Sequence, residues 1–264
     1  MNICIVGHGV VGKAVQHGFT NNLTHLYVVD PQYDTHIDSL YDLFKPDLVF
    51  VCVPTPTTED GIDSSIIENV LKQIGSREHK PLVVIKSTIT PDICDKLSVL
   101  YPRIVYNPEF LTEANAIHDF VNPNFILLGG ETKDVLEVAE AYSQYSLCNP
   151  CPVYMVDEKT ACLVKYTLNS FLATKVVFFN QMYDIYKKSG ADITWEKFIK
   201  IISMDDRIGD THMSVPGKDG MRGFGGMCFP KDTKAIIHYA KTVGAPFSIL
   251  EEVVDINYKL RDMK

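Results

Sequence analysis

A cysteine thiol becomes a nucleophile where its surroundings favour the thiolate, and Cys228 has such neighbours. It sits in Gly223-Phe224-Gly225-Gly226-Met227-Cys228-Phe229-Pro230-Lys231-Asp232. Three glycines in four residues give a loop whose backbone can lie against a ligand. Pro230 suits the first turn of a helix, which puts Cys228 at a helix N-terminus beside Lys231. Both features favour the thiolate. Asp232 follows four residues on and can return to the same face. A free cysteine is ordinarily a small buried hydrophobe, but these flanking glycines make a poor core. The chemistry that fits is covalent catalysis by a thiol.

Other polar residues recur at helical spacing. Lys165 and Asn169 are four apart and share a helix face. Their neighbours Leu163, Val164, Leu168, Phe171 and Leu172 are apolar, so a lysine among them needs a reason. Glu109 and Glu113 are also four apart, in Asn107-Pro108-Glu109-Phe110-Leu111-Thr112-Glu113. The ordinary alternative there is a helix start decorated with acids. Cys148-Asn149-Pro150-Cys151 has no second pair to complete a zinc site and reads as coincidence. No metal site is expected.

A dinucleotide fingerprint opens the chain. Gly7-His8-Gly9-Val10-Val11-Gly12 directly follows an apolar strand and precedes a helix pattern. Gly7 permits the tight turn, Gly9 lets backbone approach a pyrophosphate, and Gly12 allows close helix–strand packing. Val10 and Val11 open the helix whose N-terminus faces the anion. Asp30 stands 18 residues after Gly12 at the end of the second strand. A carboxylate there accepts from the adenine ribose and repels a 2′-phosphate, which favours NAD over NADP. Pro54-Thr55-Pro56-Thr57 follows the third strand and Lys86-Ser87-Thr88 the fourth. Both lie at carboxyl ends of strands, where open α/β sheets bind ligands.

The elements that must position these residues are legible in outline. Short apolar runs predict buried parallel strands at Asn2–Val6, His25–Val29, 47–53, Leu82–Ile85, Ile104–Tyr106 and 125–128, with 152–156 as a last candidate. Amphipathic segments between them predict crossover helices. From 157 to 189 runs one helical pattern free of Pro and Gly, roughly 50 Å long. Gly190 ends it. Further helices are expected at 194–203, at 232–243 and from Pro246 to the C-terminus. The fold class is α/β: a Rossmann-type doubly wound parallel sheet at 1–156, followed by a mostly helical domain at 157–264 with one long central helix.

Composition excludes several classes. The 264 residues are 46% hydrophobic and 22% charged, ordinary for a globular chain, and the net charge is −8. Without a basic run, nucleic acid and membrane surfaces are not expected partners. The N-terminus lacks the basic region of a signal peptide, and no apolar run reaches the roughly 20 residues of a membrane span. Seven cysteines, an odd number, several of them in strand patterns, indicate free thiols in a reducing, cytoplasmic setting.

The blocks GHGVVG, VPTPT, KSTITPD, NPEFLTEANAIHDF, KYTLNSFLATKVVFFN and GFGGMCFPKD together resemble the nucleotide-sugar 6-dehydrogenases, the UDP-glucose/GDP-mannose dehydrogenase group, from Met1 to about Lys264. NPEFL with CFPKD looks more like the UDP-glucose branch than the UDP-N-acetylmannosamine branch. The resemblance implies a four-electron oxidation of a sugar primary alcohol to a carboxylate, with NAD as cofactor and UDP-glucose as substrate. It implies Cys228 as the catalytic thiol, with Lys165, Asn169 and Asp232 handling the sugar oxygen and water. Thr88, Glu109 and Glu113 match active-site positions after the fourth and fifth strands, and Pro54, Thr55, Thr88 and Glu113 would face the cofactor. Phe110, Leu111, Thr112 and Glu113, with Phe224, Gly225 and Gly226, would touch the nucleotide sugar. Lys86, Arg222 and Lys231 are candidates for the positive charge that an acidic protein must gather near anionic ligands, Lys231 towards the cofactor.

The departures from the family pattern are Met227, Thr112 and Ala114, in place of a small residue or cysteine, an arginine and a glycine. The family also continues into a second α/β domain that grips the uridine, whereas this sequence ends at Lys264. Weak UDP-glucose binding beside tight NAD binding is therefore expected. A homodimer through the long helix is expected too, because Val164, Leu168, Phe171, Leu172, Val176, Val177, Phe178 and Phe179 are more than the following helices can cover. Two other functions fit parts of the pattern. A two-electron β-hydroxyacid dehydrogenase shares the Lys-x-x-x-Asn spacing without a thiol. An NAD-binding remnant that pairs with another chain would need no catalysis.

Overall fold

Runs of β-branched and apolar residues bounded by turn residues pair into one sheet, because strands buried on both faces need apolar side chains on both. In the computed structural model, which describes residues 1–38, 44–59 and 61–262, the strands are β1 (Asn2–Val6), β2 (His25–Val29), β3 (Leu48–Val51), β4 (Thr57–Thr58), β5 (Gly61–Ile62), β6 (Leu82–Ile85), β7 (Ile104–Tyr106), β8 (Ile126–Gly130) and β9 (Val153–Val156). The sheet order is β2-β1-β3-β6-β7-β8-β9, and β4 and β5 form a separate two-stranded ribbon. The chain packs as two compact units, residues 1–58 with 62–165, and 59–61 with 166 onward.

In the first unit the sheet is covered on both faces. The helices are α1 (Val10–Phe19), α2 (Ser65–Gly75), α3 (Pro91–Leu100), α4 (Ala116–Val121) and α5 (Thr132–Tyr145). One core layer gathers Phe19, Phe50, Phe120 and Tyr142, whose rings meet at 5.1 to 6.4 Å between centroids. Gly18 makes this layer possible. A Cβ there would stand 2.1 Å from the Phe120 ring, so α1 admits that ring only without a side chain. The other layer packs Val6, Val51, Ile85 and Tyr106 against Ile67, Leu71 and Leu97.

The long polar-and-apolar pattern forms α6 (Glu158–Ser189), which starts in the first unit and runs into the second. The second unit adds α7 (Trp195–Ile202), α8 (Phe229–Thr242) and α9 (Ser248–Asp262). Thr194 caps α7 by accepting the Lys197 N–H. Trp195 is buried against Phe179 and Tyr186 and donates its ring N–H to the Met213 carbonyl at 3.2 Å.

The doubly wound expectation holds, with differences. Within the seven-stranded sheet the pairings are parallel except β7 with β8, which is antiparallel. The ribbon β4–β5 was not predicted by any apolar run. α8 begins at Phe229, three residues ahead of the predicted start, because Pro230 fits a first turn. The last two residues of the expected C-terminal helix, 263–264, lie outside the described residues. Among those described, one helix, α6, has the length and apolarity to cross a membrane, although no such apolar run was expected. It buries Lys165, Asn169, Lys175 and Asn180, the pattern of a core helix in a folded protein.

Candidate active site

In the first unit the chain leaves β1 for β2 on one side and returns to β3 on the other, so a crevice opens over the carboxyl ends of β1 and β3. The glycine loop lines it. Gly7 has φ +90, and a Cβ on it would stand 2.6 Å from the Cys52 carbonyl oxygen. A Cβ on Gly12 would stand 2.0 Å from the Gly7 carbonyl oxygen. Both glycines are required by the fold itself. Gly9 differs: nothing lies within 4 Å of where its Cβ would be. It is the N-cap of α1, and the next residue, Val10, is exposed. The result is bare backbone at a helix N-terminus, the cradle an anionic pyrophosphate needs.

Asp30 stands beside that loop. Its Oδ2 accepts the His8 main-chain N–H at 2.6 Å and its Oδ1 accepts from Gln32 N at 2.9 Å. These two main-chain donors hold its carboxyl below the ordinary carboxylate range. The half-exposed carboxylate stays charged and available to ribose hydroxyls. The loop and Asp30 together fit NAD. His8, not singled out from sequence as a site residue, is fixed by its ring: Nδ1 lies 2.8 Å from the Tyr33 hydroxyl and Nε2 2.7 Å from Gln16 Oε1. Pro54 is exposed, while Thr55 is buried and donates to the Thr88 carbonyl at 2.8 Å. That bond ties the loops after β3 and β6.

The loop after β7 is built around a buried charge. Lys86 Nζ lies 2.9 Å from Glu109 Oε2 and donates to Asn107 Oδ1 at 2.9 Å. The contact with Oε2 is off the hydrogen-bonding direction and so is Coulombic. Glu109 Oε1 accepts from the Phe110 and Leu111 main-chain N–H groups. Tyr142 donates to Asn107 Oδ1 at 2.7 Å. Lys165 donates to the Glu109 carbonyl oxygen and sits 5.4 Å from the Phe110 ring centroid. Lys86, Asn107, Glu109, Phe110, Leu111 and Tyr142, with Thr112 and His118, line a cavity of about 310 Å³. Thr112 donates twice to Asp119 Oδ2, and Glu113 is exposed in the first turn of a short 3₁₀ helix.

In the second unit Cys228 is the N-cap residue of α8. Of the seven cysteines it alone is exposed. Burial pushes the Cys4 and Cys52 thiols up to about 12 and raises those of Cys148, Cys151 and Cys162. One turn into α8, Asp232 is only 1% exposed. Its Oδ2 accepts from Asn169 Nδ2 at 2.6 Å and its Oδ1 pairs with Lys231 Nζ at 2.7 Å. Phe224 is buried, and Gly226, at φ +73, is open on its Cβ side. A Cβ on Gly225 would stand 2.6 Å from the Arg261 guanidinium. Arg222 pairs with Asp184 and donates to the Asn180 carbonyl. Lys86, Arg222 and Lys231, candidates for binding anions, thus each have an internal carboxylate partner.

A doubly wound sheet with a bare glycine loop and an acid at the end of the second strand defines an NAD-binding dehydrogenase fold. The NAD-binding-domain profile of the UDP-glucose/GDP-mannose dehydrogenase family matches residues 33–146, and its central-domain profile matches 159–259. The chain belongs to this family, and its cofactor is NAD. It is 31% identical to a UDP-glucose 6-dehydrogenase of Rickettsia bellii over 97% of this chain and 67% of that protein. For the next curated relatives it spans about half of their length. A UDP-glucose dehydrogenase structure from the archaeon Pyrobaculum islandicum superposes with a TM-score of 0.80 at 26% identity, covering 98% of this chain and 68% of that one. The Mycobacterium tuberculosis 3-hydroxyisobutyrate dehydrogenase, at 14% identity and a TM-score of 0.75 over 99% of this chain and 94% of that one, shares the fold.

Proposed function

We propose that the chain carries out the four-electron oxidation of a nucleotide-sugar primary alcohol, UDP-glucose foremost, to the carboxylate. The reading is carried by one observation: the single exposed cysteine heads α8, one turn from a buried Asp232 held by Asn169 and Lys231. The relatives' name supports the substrate. In this reading residues 1–156 bind the cofactor, with Gly7, Gly9, Gly12 and Asp30 as its main contacts, and residues 157–264 carry the thiol.

NAD supplies the hydride acceptor for both oxidations. Cys228 Sγ adds to the carbon of the aldehyde left by the first oxidation, and the carbonyl oxygen takes up a proton to give a thiohemiacetal. After the second oxidation Cys228 holds the carbon as a thioester. Water then attacks, the C–S bond breaks, and the thiolate leaves as the carboxylate forms. Lys165 stabilises the negative charge on the sugar oxygen. Asp232 or Glu113 takes the proton of the attacking water, and Asn169 orients Asp232. Thr88, Glu109 and Phe110 to Thr112 are the first unit's candidates for contact with the sugar, and Phe224 to Gly226 are the second unit's. The test is NADH production by the full chain with a panel of nucleotide sugars. One NADH per substrate would refute the reading.

The same reading places the protein in the cytoplasm as a homodimer. On α6, Phe171, Phe178 and Ile185 recur every seven residues and are 64%, 56% and 61% exposed, with Leu168 beside them. Val177 and Phe179 face inward instead. A seven-residue apolar stripe is the seam along which two helices pack.

A further inference from the structure

Two buried carboxamides hold the loop that leads to Cys228. Asn257, on α9, is 4% exposed. Its Oδ1 accepts the Phe224 N–H at 2.6 Å and its Nδ2 donates to the Phe224 carbonyl at 3.0 Å. One side chain thus satisfies both main-chain polar groups of a single buried residue. Asn180, on α6, accepts the Gly223 N–H at 3.2 Å through Oδ1, while its Nδ2 returns to the Val176 carbonyl. Gly223 has φ +69, and a Cβ on it would stand 2.3 Å from Asn257 Oδ1. Glycine is what lets the carboxamide in.

Packing does not account for Asn257. The buried stripe of α9 is otherwise apolar, formed by Leu250, Val253 and Leu260. A carboxamide in such a stripe is costly unless both its donor and its acceptor are matched, and here both are matched by Phe224. Beyond Phe224 the chain emerges: Gly226 is open on its Cβ side, and Met227 and Cys228 are exposed. We propose that Asn257 is a positioning residue for Cys228, clamping Phe224 and so fixing where the thiol is presented. The inference rests on the reading of Cys228 as the nucleophile.

Hydrogen exchange by mass spectrometry on the full chain tests the clamp without turnover. In Asn257→Ala, amides of the 222–228 segment should exchange at least about tenfold faster, since two buried hydrogen bonds are lost. Asn257→Asp keeps the acceptor for the Phe224 N–H and should fall between Ala and wild type. Glu252→Ala, an exposed change on the same helix, should leave the segment unchanged. During turnover Asn257→Ala should lower kcat by about 10²-fold. It should also release trappable aldehyde and leave KM for NAD unaltered. Unchanged exchange at 222–228 would overturn the proposal. So would uniformly faster exchange across the chain, or loosening with normal kcat and no aldehyde release. An undiminished Cys228→Ser enzyme would instead sink the nucleophile reading, which the exchange data do not depend on.

Discussion

The Asn169 carboxamide donates to the Asp232 carboxylate over 2.6 Å, and both side chains are buried. Lys231 takes the other carboxylate oxygen. Asp232 is therefore a fixed anion one turn from Cys228. Asp232→Asn keeps the shape but removes the charge and sets two amide groups against each other. It should cut kcat by about 10²- to 10⁴-fold, the usual worth of a general base. The affinity for NAD, measured by calorimetry, should stay as in wild type.

Lys86 and Glu109 make a prediction about stability. Their side chains are 3% and 18% exposed, so each charge is compensated in part by the other. Lys86→Met should destabilise by about 3–5 kcal/mol in urea unfolding, because it strands a buried carboxylate. Adding Glu109→Gln should restore much of that loss. Additive losses in the double variant would show that the two charges do not compensate one another.

Cofactor choice should follow Asp30 and be insensitive to mild acid. Its carboxyl is held below the ordinary range by main-chain donors from Gln32 and His8. A depressed folded value means the charge, and any stability it confers, is fully present above the unfolded value. Both are lost only as pH falls through the lower folded one. Preference for NAD over NADP should thus be the same at about pH 5 and about pH 8, and should collapse in Asp30→Ala. Titrating both cofactors at the two pH values checks this. A preference that fades near pH 5 would mean another group sets it.

Much of the fold was legible because its signal is local. β1, β2, β6 and β7 fall on the apolar runs that predicted them, since each run is continuous and bounded by turn residues. The antiparallel direction of β8 was not legible, because a run of Ile and Leu has no direction. The two-residue strands of the β4–β5 ribbon are too short to show a period. Cys228 and the glycine loop were visible through spacing alone. Asn257 was not, because one polar residue in an apolar stripe shows its purpose only when its partner, 33 residues away, is brought beside it. The ion pairs of Lys86 with Glu109 and Arg222 with Asp184 were hidden for the same reason.

The exposed stripe of α6 should govern assembly. Light scattering at micromolar concentration should give a dimer mass for the wild type. Phe171→Glu with Phe178→Glu should give a monomer of unchanged helicity, because carboxylates cannot be buried in an apolar seam. A wild-type monomer would remove the second copy from the account.

The central claim, that Cys228 carries the substrate between two oxidations, is tested most directly by counting products in a single turnover. The full chain in excess over UDP-glucose, saturated with NAD, should form two NADH per sugar, with no free aldehyde. Cys228→Ser should stop at or before the first oxidation. One NADH per sugar from the wild type, or two from Cys228→Ser at the normal rate, would contradict the account.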